Sequence, residues 1–322
     1  MSNGGTPETA SEVVERRLSE LKVRLDERIH YRSEKVFPKV IGWGANSEIS
    51  RRAKLIRKVE PTLRRVLLDG EEVLYIAKGV QYSLLERYLM GIWSALLNQT
   101  VFVLTNVRLL MMRSDGSGTP REMFWMIYYS EIAKFHAGWT GVLGLKLVDG
   151  RKLSFTGFSS LDRRAMPVIF REAMADYLRL NFTPSTSQSR ENLCNSCFKI
   201  VPKDHAVCQQ CGTEFWKPHE LALRSLILPS WGDICMKHYL FAVFELLFYL
   251  GSWGKVAFFF EQGETHAALA MMGFIFLIEH PVDAMITYAL ACKGLHHRRD
   301  PDPHWQVAMP EQAVVLETSA ES

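Results

Sequence analysis

The chain has 322 residues, 48% hydrophobic and 23% charged, with a net charge of +3 and a mean hydropathy of −0.03. That length supports about two domains, and the composition excludes a wholly disordered chain, a collagen-like fibre and a protein dominated by lipid-facing helices. Six cysteines in so long a chain are not a disulfide scaffold, and a charge of +3 does not by itself argue for nucleic acid. Charge is segregated along the chain. Residues 1–65 hold fifteen Lys and Arg against nine Asp and Glu, whereas two stretches after residue 238 are almost uncharged.

The first twenty residues carry Glu12, Glu15, Arg16 and Arg17 where a signal peptide needs an apolar core. Residues 1–65 form a basic helical region. A helix is expected over residues 8–32, because Val14, Leu18, Leu21 and Leu25 alternate by four and three with Ile29 continuing the stripe. Such a short coiled-coil-like seam serves a homo-oligomer or docks on its own protein. A second basic helix starts near Ser47, runs through Arg51, Arg52, Lys54, Arg57 and Lys58, and is expected to stop at Pro61; Ile49, Ala53, Ile56 and Val59 form its apolar side.

Residues 66–180 read as short strands followed by one closing helix, an α+β pattern in which a small curved sheet is capped by its C-terminal helix. The strands fall at Glu72–Ala77, Thr100–Leu104, Arg108–Arg113, Met123–Tyr129, Val142–Val148 and Lys152–Thr156, with tight turns at Thr105–Asn106 and Asp149–Gly150. The helix covers 161–180, with Val168, Ile169, Ala173, Tyr177 and Leu178 inward and Pro167 in its first turns. The insert Tyr82–Leu97 is too apolar for a solvated loop. It reads as a core strand or helix of this domain, or as a segment packed on the membrane through Leu89, Trp93 and Leu97.

The progression Leu68–Gly70–Glu71, Leu104–Thr105–Asn106–Val107–Arg108–Leu109, Tyr129–Ser130–Glu131–Ile132 and Asp149–Gly150 resembles bacterial pleckstrin-homology-like (GRAM-like) domains over about a third of the chain. The resemblance implies a scaffold or peptide-binding use. Relatives that bind phosphoinositides use a Lys in the first strand and an Arg/Lys-x-Arg pair in the second. Lys78 fits the first role, but neither Val103–Thr105 nor Leu109–Met111 supplies the pair.

After a polar linker over 181–193 comes the sharpest motif, Cys194-Asn-Ser-Cys197 and Cys208-Gln-Gln-Cys211-Gly212, within a module at 194–216. Two C-x-x-C pairs suit one tetrahedral zinc held by four thiolates, a closed structural site. The module resembles a short zinc ribbon, with Phe198 where the first knuckle commonly has glycine. The competing readings are a redox dithiol or unrelated cysteines. Lys199, Lys203, His205 and Arg190 with Phe198 and Phe215 make too thin a basic footprint for nucleic acid. Cys235 and Cys292 read as buried, inert thiols.

Residues 220–297 read as a membrane region with two spans, near 239–260 and 267–292. Lys217, Arg224 and Lys237 flank one side and Lys293, Arg298 and Arg299 the other, while the connecting Glu261–His266 is acidic. The positive-inside rule then places both termini in the cytoplasm, in a bacterial inner membrane. The competing reading is a soluble helical core. Leu226–Cys235 (LILPSWGDIC) resembles the LPGxG entry of small two-span hairpin domains in bacteria. Glu245 falls level with Glu279, His280 and Asp283 in an antiparallel hairpin, so these four form a candidate intramembrane polar cluster, near Pro281, which opens the backbone. His296–His297 beside Arg298–Arg299 read as a solvated patch facing anionic lipid, and 298–322 as a flexible tail.

Neither a G-x-S-x-G, a P-loop nor an H-E-x-x-H motif is present. The expectation is a non-catalytic, membrane-tethered adaptor or sensor whose partners are membrane lipids and an unidentified protein. The alternative is an intramembrane enzyme or transporter component built on the Glu245/Glu279/His280/Asp283 cluster.

Overall fold

In the computed structural model, residues 9–81, 86, 88, 90–138, 141–179 and 189–298 are described. The chain is mixed α+β and divides into two compact units, one from residues up to 83 and from 98 to 191, the other from 84 to 97 and from 192 to 308. Most of the expected linker and the tail beyond Arg298 lie outside the described residues, as do Tyr82 and Leu89 of the insert.

The first unit begins with α1 (Ala10–Glu20), capped by Thr9 and Glu12 in a reciprocal pair of hydrogen bonds. The helix is shorter than expected: Lys22 turns left-handed at φ 53, and Val23 N–H reaches back to the Leu18 carbonyl. Val14 and Leu18 are buried within the chain itself. After α2 (Ser33–Val36), α3 (Ala45–Val66) runs straight through Pro61 instead of stopping there. Ile49, Ala53, Ile56, Val59, Leu63 and Val66 are all buried at helical spacing. A proline in a helix interior costs about 3 kcal/mol, and burying each large apolar side chain returns roughly 1.5–3 kcal/mol, so the stripe outweighs the break.

Seven antiparallel strands follow: β1 (Val73–Gln81), β2 (Gln99–Thr105), β3 (Arg108–Ser114), β4 (Pro120–Tyr128), β5 (Ile132–Ala137), β6 (Leu143–Leu147) and β7 (Lys152–Thr156). Within this unit they lie side by side as β5-β6-β7-β1-β2-β3-β4. Val80 and Gln81 at the end of β1 pair with Thr156 and Phe155 of β7, joining the two meanders. The strand β5 escaped the sequence pattern because Ala133, Lys134, His136 and Ala137 are exposed and leave too little alternation. Helix α5 (Ser160–Arg179) packs Ile169, Phe170, Ala173 and Tyr177 onto the sheet, with the Phe170 ring stacked 4.2 Å from Phe135. Val168 and Leu178, expected inward, are exposed on its outer side.

The second unit is helical, with a small cysteine-bearing lobe. The end of the insert forms α4 (Ile92–Leu97), and its Trp93 ring lies 5.5 Å from Phe241 and 5.2 Å from Phe244. This segment therefore packs among the apolar helices and is not a core element of the sheet unit. Glu86 pairs with Lys293 at 2.5 Å. The strands β8 (Glu191–Leu193) and β9 (Ile200–Val201) form a hairpin. Next come α6 (Pro218–Ile227), α7 (Trp231–Cys235), α8 (Tyr239–Glu261) and α9 (Thr265–Ala291). Both α8 and α9 are long and apolar enough to cross a membrane. A π turn at Ile275–Glu279 widens α9 just before Pro281, which has no N–H to give the preceding turn, and the helix continues beyond it.

Two buried networks organise the sheet unit. Arg108 grips Glu71 through two hydrogen bonds, Nε at 2.9 Å and Nη2 at 2.8 Å, and also donates to the Val66 carbonyl at the end of α3. Thr105 Oγ1 donates to Glu71, Leu68 N–H reaches the other carboxylate oxygen, and Tyr129 Oη donates to the Thr105 carbonyl. On the other side Arg52 of α3 meets Asp162 of α5 at 2.7 Å and Tyr75 of β1 at 3.0 Å. Burial pushes the Asp162 carboxyl up, but Arg52, Ser159 and Tyr75 outweigh it and hold the group below the ordinary carboxylate range. Breaking a buried pair from one side leaves an unmet charge, costing about 3–5 kcal/mol. Arg108→Ala should therefore lower the unfolding free energy of the sheet unit by roughly that amount, read from urea unfolding of the full chain in detergent micelles.

Candidate functional site

The four cysteines of the paired motif converge. One knuckle lies between β8 and β9, and the other is closed by the Val207–Glu214 bridge and a Cys208 N–H bond to the Thr213 carbonyl. Sγ of Cys194 lies 3.5 Å from Sγ of Cys211, and Sγ of Cys197 lies 3.6 Å from Sγ of Cys208. All four sulfurs are within 4.8 Å of one another. A tetrahedron with metal–sulfur bonds of about 2.3 Å has edges of roughly 3.8 Å, so the donor set fits one four-coordinate ion with no open position.

The two knuckles share a backbone solution. Gly212 sits at φ 72 and donates its N–H to the Cys208 carbonyl at 2.8 Å; Phe198 sits at φ 56 and donates to the Cys194 carbonyl at 2.8 Å. Phe198 thus occupies the left-handed position that glycine adopts without strain, at a cost of about 1–2 kcal/mol. Hydrogen bonding from the Cys197 thiol, with backbone N–H groups of Cys197 and Ser196, lowers the Cys194 pKa to about 4. The same contact, with burial, pushes Cys197 up. An ion bound by the four sulfurs would displace the thiol protons.

The segment after α9 returns to this lobe. His297 bridges Phe215, their rings 5.1 Å apart, and Arg298 N–H donates to the Glu214 carbonyl. His296 and His297 are 5% and 3% exposed, so they are not the solvated patch expected from their sequence setting. The Trp216 ring lies 4.6 Å from the Arg224 guanidinium and 4.8 Å from that of Arg298. Cys235 is half-buried, its thiol pushed up by burial, whereas Cys292, just past the end of α9, is exposed, contrary to expectation.

A second constellation lies among the helices. Asp233 of α7, Glu245 of α8 and Asp283 of α9 each bring a carboxylate oxygen within 4.8 Å of the others. Asp233 receives Thr287 Oγ1 at 3.0 Å and lies 3.0 Å from His238 Nδ1; Asp283 receives Ser230 N–H at 3.1 Å. Ser225 and Thr287 are joined at 2.8 Å, and Gly232 N–H donates to Ser225 Oγ. A Cβ on Gly232 would stand 2.5 Å from Thr287 Cγ2, so only glycine lets α7 approach α9 this closely. Among the described residues, Glu245 Oε2 and the Ser230 hydroxyl are buried with no partner at hydrogen-bond geometry.

The expected cluster is therefore regrouped. Glu245 and Asp283 meet, as their depth predicted. His280 instead bonds the Leu226 carbonyl through Nδ1 at 2.7 Å and packs beside Tyr249, and it does not join the carboxylates. Asp233, the most buried member of the group, was missed. Its signal was an acid in the apolar run LILPSWGDIC, accompanied by Ser225 and Thr287. A groove of about 660 Å³ opens beside the group, lined by Trp93, Phe244, Phe248 and Ile278 with Glu245, Glu279 and Asp283.

No protein-family model matches the chain, and no curated protein matches it. Among solved structures it is similar to the C-terminal domain of an unknown protein from Leishmania infantum, at 17% identity and a TM-score of 0.25, over 38% of this chain and 94% of that one. A likeness at that level carries no argument about fold or function.

The donor geometry predicts one tightly bound metal ion per chain. Elemental analysis of the full chain purified under reducing conditions should return about one equivalent, and Cys208→Ser should reduce it to background.

Proposed function

We propose that the chain is a non-catalytic, membrane-anchored adaptor or sensor, with a pleckstrin-homology-like domain and a structural zinc ribbon displayed on the cytoplasmic side of a bacterial inner membrane. The observation that carries the reading is the outward face of α8 and α9. In their most apolar stretches only 22% and 17% of residues are buried. Leu240, Leu247, Phe248, Leu250, Phe258, Leu269 and Leu277 are each at least 55% exposed. Leaving seven such side chains in water forfeits about 10–20 kcal/mol of burial, as much as the whole stability of an ordinary domain. A lipid surround removes that deficit.

The pleckstrin-homology-like assignment is supported by the motif residues themselves. Leu68, Glu71, Thr105, Arg108 and Tyr129, scattered along the sequence, meet in one buried hydrogen-bond network beneath an antiparallel sheet on which the C-terminal helix α5 packs. Zinc is favoured over other ions because four thiolates in a tetrahedron suit its soft, geometry-tolerant character. The closed site makes it a structural ion, and the lobe then offers a rigid surface to a protein partner.

Topology tests the reading. A cysteine introduced at Gly263, between α8 and α9, should react with a membrane-impermeant maleimide added outside intact cells, while one introduced at Gly70 should react only after lysis. A cytoplasmic reporter fused after Ser322 should be active. Recovery of the chain in the soluble fraction without detergent would refute the membrane anchor.

A second reading is favoured by the Asp233, Glu245 and Asp283 group: the helical unit binds a hard cation through carboxylate oxygens. Under it, millimolar Mn2+ should raise the Tm of the full chain in micelles by a few degrees, and Asp283→Asn should abolish that rise while leaving the metal of the cysteine site in place. An equal rise in the variant would leave the carboxylates with a structural role only.

A further inference from the structure

The groove beside the carboxylate group differs from the rest of the apolar surface of the helical unit. Its volume of about 660 Å³ is that of a small-molecule site. Trp93 of α4 and Phe244 of α8, their rings 5.2 Å apart, form one wall, and Phe248 and Ile278 continue it outward. Phe244, Phe248 and Ile278 are exposed, so the groove opens to the surroundings along them. Its charged groups are all of one sign. Glu245, Glu279 and Asp283 line it, and no lysine or arginine stands among its described lining residues.

These carboxylates are left without a countercharge. Asp283 is only 7% exposed and still reaches the groove; the Ser230 N–H that holds it carries no full charge. Ser230 itself is 1% exposed, and its hydroxyl has no partner at hydrogen-bond geometry among the described residues. The same holds for Glu245 Oε2 and Glu279 Oε2. The nearby histidines are engaged elsewhere, His238 on Asp233 and His280 on the Leu226 carbonyl. Carboxylates in an apolar surround stay ionised only beside a positive charge. A bare metal ion answers the oxygens and leaves the aromatic wall without a role. A ligand with a cationic head and an apolar body answers both, because ring faces attract the head as the carboxylates do and the body covers apolar surface.

We infer that the groove between α4, α8 and α9 is a binding site for an amphiphilic organic cation, its ammonium group held by Glu245 and Asp283 and its apolar body lying against Trp93, Phe244 and Phe248. In needing Glu245 and Asp283 it rests on the cation-binding reading of the helical unit. It departs from that reading in ligand and in place: Asp233 is not among the groove's lining residues, and a hard metal ion makes no use of Trp93 or Ile278.

Fluorescence titration of the full chain in dodecyl maltoside micelles reads the site. The probe is dodecylpyridinium, a cation whose ring quenches tryptophan on contact. A saturable quenching component, lost in Trp93→Phe, is expected above the diffuse quenching that partition into the micelle gives to every tryptophan. Dodecyltrimethylammonium, with the same charge and tail and no quenching ring, should displace the probe; dodecanol, with the tail alone, should not. Glu245→Gln should weaken the saturable component about tenfold, the loss expected for one charge-assisted contact. Ile278→Phe, at an exposed position, narrows the groove without altering a carboxylate; it should weaken the probe in the same direction and leave any Mn2+-dependent rise in Tm as it is in the unaltered chain. The absence of a saturable component, equal displacement by dodecanol, or an unchanged response in both Glu245→Gln and Ile278→Phe would overturn the assignment. A rise in Tm with Mn2+ beside any of those results would leave the metal reading standing without this one.

Discussion

The helical unit is organised by the cost of a carboxylate away from water. Asp233 is fully buried, and such a charge persists only where donors surround it. Thr287 from α9, His238 from the approach to α8 and the Ser225–Gly232 contact from α6 and α7 converge on it or on its immediate neighbours. Every helix of the unit after the cysteine lobe therefore contributes to one polar centre, and their apolar surfaces face outward. That arrangement leaves the apolar faces of α8 and α9 largely exposed, and it follows from where Ser225, Asp233, Glu245, Asp283 and Thr287 sit.

The sheet unit uses buried charge differently. The Glu71–Arg108 pair is almost fully enclosed and fully hydrogen-bonded, tying the end of α3, the entry to β1 and the β2–β3 turn into one piece. Arg52 does the same for the other end of α3, where it meets β1 and α5. Both ends of α3 are thus tied to the sheet unit by buried arginines.

The cysteine lobe shows how little chain a metal-shaped fold requires. Two knuckles, one hairpin and the bridge at Val207–Glu214 bring four thiols to tetrahedral spacing. Its apolar centre, besides the cysteines themselves, comprises Val201, Phe215 and Leu295. So small a core gives limited stability by itself, and coordination bonds to an ion held by the four thiols would add to it. The returning His296–Arg298 segment adds a strip of backbone pairing and the ring contact on Phe215, which explains why those histidines are buried despite their basic neighbours.

Much of this was legible because short-range patterns have short-range causes. The spacing of Cys194, Cys197, Cys208 and Cys211, the Asp149–Gly150 hairpin, the α3 stripe and the two long apolar runs each follow from the geometry of one turn, strand or helix. Depth counting even paired Glu245 with Asp283. The remainder depended on packing between distant segments. Pro61 stays helical because six buried side chains outweigh one lost hydrogen bond, and β5 forms because β6 offers it a partner. Trp93 joins the apolar helices because Phe241 and Phe244 give it a surface. Asp233 enters the carboxylate group because Gly232 lets α7 press against α9, and His280 leaves it for the Leu226 carbonyl of α6. The sequence by itself determined which residues could form each element and which donors could hold a metal; only the tertiary structure decided which charges share a site, because a carboxylate's partners are set by distance in space, to which residues fifty positions apart contribute as readily as neighbours.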